Sequence, residues 1–190
     1  MQVKPLIVIG ITGTLGAGKG TIVDYLIRKK GFLHYSVRAF LIEVIEAKGE
    51  QVNRDTMTKT ANELRAEHSP SYITDQLYLR AIKSGEPCVI ESIRTPGEIQ
   101  SLKNKGNFYL WAVDADPRLR YERIQKRQSE TDAVSYDTFQ SNEAREMHSD
   151  DPNKQNLQSC IAQADIVFEN NGNLEILYNQ VENALKNIQK

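Results

Sequence analysis

Between Gly13 and Thr21 the chain reads Gly-Thr-Leu-Gly-Ala-Gly-Lys-Gly-Thr, a composition suited to holding phosphoryl groups. Phosphoryl oxygens need several hydrogen-bond donors converging on a small volume. Residues without a Cβ let backbone N–H groups point inward and provide them. A helix beginning at Gly18 adds the positive end of its dipole. Lys19 supplies a cation for the outer phosphates and Thr21 a hydroxyl. Gly13 and Gly18-Lys19 satisfy the frame G-x-x-x-x-G-K, with an apolar strand-like run before it and a helical pattern after it. Gly13, Thr14, Gly16, Ala17, Gly18, Lys19, Gly20 and Thr21 are therefore the candidate nucleotide-binding residues. Gly20 stands where a Ser or Thr usually follows the lysine, so the direct hydroxyl ligand to Mg²⁺ is missing there.

Phosphoryl transfer asks a protein for positioning and for cations around the transferring oxygens. Glu91 ends an apolar run, at the carboxyl edge where ligands of open α/β sheets collect. It is a candidate for orienting metal-bound water, or for accepting a proton from the acceptor. A carboxylate capping the next turn is the plainer role for it. Arg94, three residues on, would face the same cleft and could grip an acceptor phosphate with both nitrogens. Arg120, Arg123 and Arg127 are spaced by three and four and share one helical face, with Arg118 and Lys126 nearby. Arg123 and Arg127 are the better candidates for the transferring group, against the bland alternative of a solvated basic face. The polar stretch Gln128 to Ser135 that follows reads as a lid.

Other charged and polar residues have simpler readings. Glu143, Arg145 and Glu146 fit pairing along a helix surface. Asp114 and Asp116 fit turn and cap positions beside Pro117. His34 borders the expected acceptor side, while His68 and His148 fit packing or surface roles. Asn170 is either a contact to the adenine edge or a turn former before Asn171-Gly172.

Strands and helices must alternate to place these groups at one sheet edge. Pro5 to Thr12, Phe32 to Ser36, Pro87 to Glu91, Phe108 to Val113 and Asp165 to Phe168 are strand-like, and the first is apolar without period-two alternation. Helical patterns fill the intervals: a helix stopped by Gly31, a helix-rich stretch over Arg38 to Ser84 broken near Gly49 and Ser69-Pro70, and helices opened by Pro96 and Pro117. Thr138 to Met147, Asn156 to Ala164 and Leu174 to Ile188 complete them. Right-handed crossovers restrict such a chain to an α/β fold, a doubly wound five-stranded parallel sheet flanked by helices.

At 190 residues the chain suits one domain, with 37–84 expected as a helical acceptor-binding insertion and 118–150 as a lid region. The formal net charge of −1 gives no overall basic field to recruit nucleic acid or an anionic membrane. No apolar run approaches the ~20 residues needed to cross a bilayer. Cys88 and Cys160 lie far apart without ligand neighbours and read as reduced core thiols, which points to the cytoplasm.

The loop Gly18-Lys-Gly-Thr21 resembles that of adenylate kinase and other nucleoside-monophosphate kinases, where Mg²⁺ is held largely through water. Glu91-Ser-Ile-Arg94 resembles the acidic-x-x-arginine turn those kinases use at the acceptor. Ala164-Asp-Ile-Val-Phe-Glu-Asn-Asn-Gly172 resembles a late segment of dephospho-coenzyme A kinases. The chain is similar above all to a set of short P-loop kinase-like proteins related to both. It departs from adenylate kinase at Ala39 and Ile42, where that enzyme has an Asp and an Arg, and Arg38 is displaced. It also lacks the aspartate that dephospho-coenzyme A kinases carry after the second strand.

These resemblances imply a kinase moving the γ-phosphoryl of ATP, with Mg²⁺, onto a small nucleotide-like acceptor. Lys19, Arg94, Arg123, Arg127 and Glu91 would be its catalytic residues, and Glu91 would reach the metal through water. Dephospho-coenzyme A as acceptor is the alternative within that class. A nucleotide-dependent switch acting through a protein partner is the alternative outside it. The motifs leave open ATP against GTP, the acceptor and the oligomeric state.

Overall fold

The computed structural model describes residues 6–127 and 134–188. Its sheet is built from β1 (Val8–Gly13), β2 (Leu33–Ser36), β3 (Cys88–Glu91), β4 (Phe108–Asp114) and β5 (Ile166–Glu169). The five strands are parallel, as the apolar runs predict, and lie in the order β2-β3-β1-β4-β5. β1 is central and buried along its whole length. It must be apolar on both faces because helices cover both.

One face carries Ile9, Ile11, Val89, Trp111 and Val113 against α1 (Lys19–Lys30) and α9 (Leu174–Ile188). The other carries Val8, Cys88, Ile90 and Leu110. Against that face pack α2 (Val37–Ala47), α3 (Arg54–Glu67), α4 (Tyr72–Ser84), α5 (Pro96–Lys103) and α8 (Leu157–Ala162). The remaining helices, α6 (Pro117–Arg127) and α7 (Tyr136–Met147), flank the carboxyl edge. Both cysteines are free and buried, and burial pushes their thiols up to about 12.

The helix starts follow local chemistry. Ser36 caps α2 by accepting from the Ala39 amide, Asn53 and Thr56 form a capping box for α3, and Thr95 and Glu98 form one for α5. α1 differs. Gly18 precedes it in the left-handed conformation with no side-chain cap, leaving its first-turn amides to a ligand. No helix among the described residues is long and apolar enough to cross a membrane.

Candidate functional site

Register brings the chemistry together. Ile11 of β1 pairs with Glu91 of β3, and Gly13 with Val113 of β4, so the loop and Glu91 leave the sheet at the same edge. A Cβ on Gly13, at φ +130°, would lie 2.0 Å from the Val113 carbonyl oxygen. No other residue fits there. Thr14 donates to Asp114 at 2.6 Å, tying the loop to the end of β4.

Asn170 supports the loop from beneath. Its amide donates to the Ala17 carbonyl at 2.8 Å, and a Cβ on Gly18 would meet that amide nitrogen at 2.3 Å. The side chain is buried and committed to the loop, where it acts as a brace. Thr14 and Ala17 are likewise buried and shape the loop, whereas Gly16, Gly18, Lys19, Gly20 and Thr21 line the cleft.

That cleft encloses about 770 Å³. Besides the loop it is lined by Glu91, Arg94, Arg123 and Arg127, which the sequence nominated. Lys19 donates to the carbonyls of Gly13 and Thr14 at 2.8 and 2.7 Å. Burial of its ammonium lowers its pKa from 10.5 to about 7; Arg94 and Arg127 add to that, and Glu146 and Glu91 oppose it. Since the folded value is the lower one, the unfolded chain holds the extra proton, and stability rises with pH across that window.

Glu91 accepts from Ser36 Oγ at 3.1 Å and lies 3.5 Å from His34 Nε2. Burial pushes its carboxyl up, but His34, Ser36 and Lys19 together hold it below the ordinary value. Glu91 and the Thr21 hydroxyl offer hard oxygens in the cleft, a set that suits magnesium held largely through water. Ser92 follows at φ +68°, a strained left-handed turn that sends the chain toward Arg94.

The arginines of α6 separate by role. Arg123 donates to the Asn170 carbonyl at 2.8 Å, and its Nη1 is buried with no hydrogen-bond partner among the described residues. Arg120 does not share the cleft. It is 3% exposed and holds the Ala115 and Leu15 carbonyls and Glu143. Asp116 caps α6 through the amides of Arg118 and Leu119, as its position suggests. Of the expected lid stretch, residues 128–133 lie outside the described residues, and the Val134 carbonyl accepts from Tyr121 and Gln125.

The reading of Glu143 and Glu146 as helix-surface pairs is overturned. Glu143 binds Arg120, and Glu146 binds Arg54 and Arg94, the latter at 2.6 Å. Glu146 is buried at the cleft wall; burial raises its carboxyl, and Arg94 with Arg54 overcomes that and lowers it. Arg145 alone behaves as a surface residue, donating to Asn142 at 3.1 Å. The spacing of these charges carried no sign of partners that lie 92 and 52 residues away.

The sequence reading also missed Arg54, Arg65 and Glu98. Arg65 and Glu98 form an ion pair at 3.0 Å, 2% and 0% exposed. The other Glu98 oxygen accepts from the Arg94 and Thr95 amides, so one carboxylate fixes both arginines at the cleft. Thr95-Pro-Gly-Glu98, a capping-box pattern directly after Arg94, was the available signal. Glu98→Ala is expected to destabilise the protein by about 3–5 kcal/mol, because it leaves a buried guanidinium unpaired. Urea unfolding reads this, and a loss below ~1 kcal/mol would show the pair to be dispensable.

A family model described as an AAA domain matches residues 9–148, from β1 to the end of α7. A UPF0200 protein from Pyrobaculum aerophilum is 30% identical over 86% of this chain and 87% of its own. The chain is an AAA-domain protein of the UPF0200 family.

Among solved structures, this UPF0200 chain superposes on TT1252 from Thermus thermophilus with a TM-score of 0.63, at 20% identity, over 97% and 98% of the two chains. It superposes on shikimate kinase from Bacteroides thetaiotaomicron with a TM-score of 0.52, at 15% identity, over 97% and 99%. Its AAA domain thus has the P-loop kinase-like fold, which is the coarser form of the resemblance read from the sequence.

Proposed function

We propose that the protein is an ATP-dependent small-molecule kinase, transferring the γ-phosphoryl to an acceptor that carries an anionic group. The observation that carries this reading is one cleft holding both Lys19 at the phosphate loop and Arg94 with Arg54 at its other wall. A nucleotide hydrolase needs the first; the second is suited to an acceptor phosphate. Val37, Leu41 and Ala61 add an apolar wall against which a base or ring can pack. The shikimate kinase fold match supports a small-molecule acceptor of this kind.

In this reading the loop amides and Lys19 neutralise the donor phosphates, and Arg123 with Arg127 acts on the transferring group. Arg94 holds the acceptor. Thr21, and Glu91 through water, would hold a magnesium ion beside the nucleotide, which would supply charge neutralisation there. Residues 37–84 serve as the acceptor wall and 118–150 as the lid region. ADP release measured over a panel of nucleoside monophosphates and dephospho-coenzyme A, with ATP or GTP as donor, tests this directly. The kinase reading expects a sharp rise with one acceptor. Slow turnover that no acceptor stimulates would instead favour a nucleotide-dependent switch.

The displaced protonation of Lys19 gives a second test. A neighbouring phosphate restores the charge that burial removes, so ATP binding at pH 8 should take up close to one proton. Calorimetry in buffers of different ionisation enthalpy measures it. Wild type and Lys19→Ala taking up equal numbers of protons would show that Lys19 is not the group titrating.

A further inference from the structure

Two part-buried guanidiniums at the acceptor wall have their negative partner supplied from within the chain. Arg54, on α3, and Arg94, after β3, both donate to Glu146 on α7. Arg94 Nη1 also donates to Gln155 at 2.8 Å. Buried cations need such a counter-charge, since the cost of leaving them unpaired is severe. Yet the set is incomplete. Arg54 Nε and, in the same cleft, Arg65 Nε and Nη1 are buried without hydrogen-bond partners among the described residues. Arg65 is 2% exposed and paired through Nη2 alone. The cleft therefore presents more donors than one carboxylate can satisfy.

α7 carries Glu146 there for a structural reason. Glu143, three residues earlier, lies on the same helical face and is fixed by Arg120, which also holds the Leu15 carbonyl of the phosphate loop. One helix thus reaches the donor loop through Arg120 with one carboxylate and binds the acceptor wall with the other.

We infer that Glu146 is the resident occupant of the acceptor's anion subsite, and that only an acceptor bearing a phosphate-like dianion displaces it. This rests on the acceptor reading of the preceding section. A tethered carboxylate competes at high effective concentration, so a free carboxylate offering the same charge and the same two oxygens gains nothing by replacing it. A dianionic phosphoryl group brings a second charge and a third oxygen, and the cleft lined by Arg54 and Arg65 keeps donors of both without partners among the described residues. Glu146 is then a specificity-determining residue acting by competition. Its displacement frees one of the two carboxylates that tie α7 to the cleft, while Phe139 stays buried, so filling the acceptor site loosens the C-terminal end of that helix.

The experiment uses the full chain with its phosphate loop saturated by a non-hydrolysable ATP analogue, which removes the loop as a phosphate site. Inorganic phosphate and acetate are titrated by calorimetry against wild type, Glu146→Gln and Glu146→Asp. Glu146→Gln keeps the shape and removes the charge, and the bound analogue reports that each protein is folded. Glu146→Gln is expected to bind phosphate at least tenfold more tightly than wild type and to gain acetate binding. Glu146→Asp is expected to restore discrimination against acetate. In wild type, phosphate should speed hydrogen exchange of the 136–147 amides, and acetate should not. Equal phosphate affinity in wild type and Glu146→Gln would overturn the competition while leaving the anion subsite standing. Absence of phosphate binding in every protein would instead remove the subsite, and with it the anionic acceptor of the proposed function.

Discussion

Lys19→Ala is expected to reduce phosphoryl transfer by on the order of a thousandfold while the protein remains folded. In the proposed kinase the ammonium would meet the charge that accumulates on the outer phosphates, and its burial in the cleft magnifies a fixed charge there. Its loss should not weaken the fold. The same burial that lowers its pKa to about 7 makes its charge unfavourable in the folded protein, which offsets the loss of its hydrogen bonds to the Gly13 and Thr14 carbonyls. Steady-state kinetics with the acceptor found by the panel, together with thermal unfolding at pH 7, decide the matter. Near-normal turnover would remove Lys19 from the chemistry. A collapsed melting temperature would show instead that the lysine holds the loop together.

Arg94→Ala and Arg123→Ala should fail in different ways. Arg94 faces the acceptor wall, where its Nη1 meets Glu146 and Gln155, so its loss should chiefly raise KM for a phosphate-bearing acceptor. Arg123 keeps one buried nitrogen without a partner while the other holds the Asn170 carbonyl. An interaction made only as charge develops lowers kcat and leaves ground-state binding alone. Arg123→Ala should therefore lower kcat by on the order of a thousandfold with KM for ATP nearly unchanged. A large rise in that KM would mean that Arg123 acts by holding Asn170 under the loop. Should neither variant change the kinetics, the arginines are structural and the switch reading gains.

The sheet was legible because its signals are local. β-branched apolar runs such as Leu6 to Ile9, and stops such as Gly31, state their own conformation. The glycine loop was legible for the same reason, since its frame lies within a few residues. The acceptor wall was not. Arg54 and Arg65 belong to a helix whose sequence, Arg-Asp-Thr-Met-Thr-Lys-Thr-Ala-Asn-Glu-Leu-Arg-Ala-Glu, reads as a solvated surface. They come together because the fold sets Arg54 against Glu146 of α7 and Arg65 against Glu98 of α5, which no spacing within α3 can announce. Glu146 was misread on the same principle, as its charged neighbours Glu143 and Arg145 suggested pairing along the helix surface while its partners were assembled by topology. Asn170 shows the intermediate case. Its turn-forming company was visible, and the carbonyl it holds at Ala17 was not.

That hydrogen bond spans 153 residues, and its consequence lies in how the molecule is made. The glycine loop follows β1, but its brace lies just past β5, the latest in chain order of the described strands. Loop closure over such a separation is expected late in folding, after the local helices. Until β5 is in place the loop has its ties to Asp114 and, through Leu15, to Arg120, but lacks the one under Ala17. A nucleotide bound at the braced loop would stabilise the completed fold over partly folded forms.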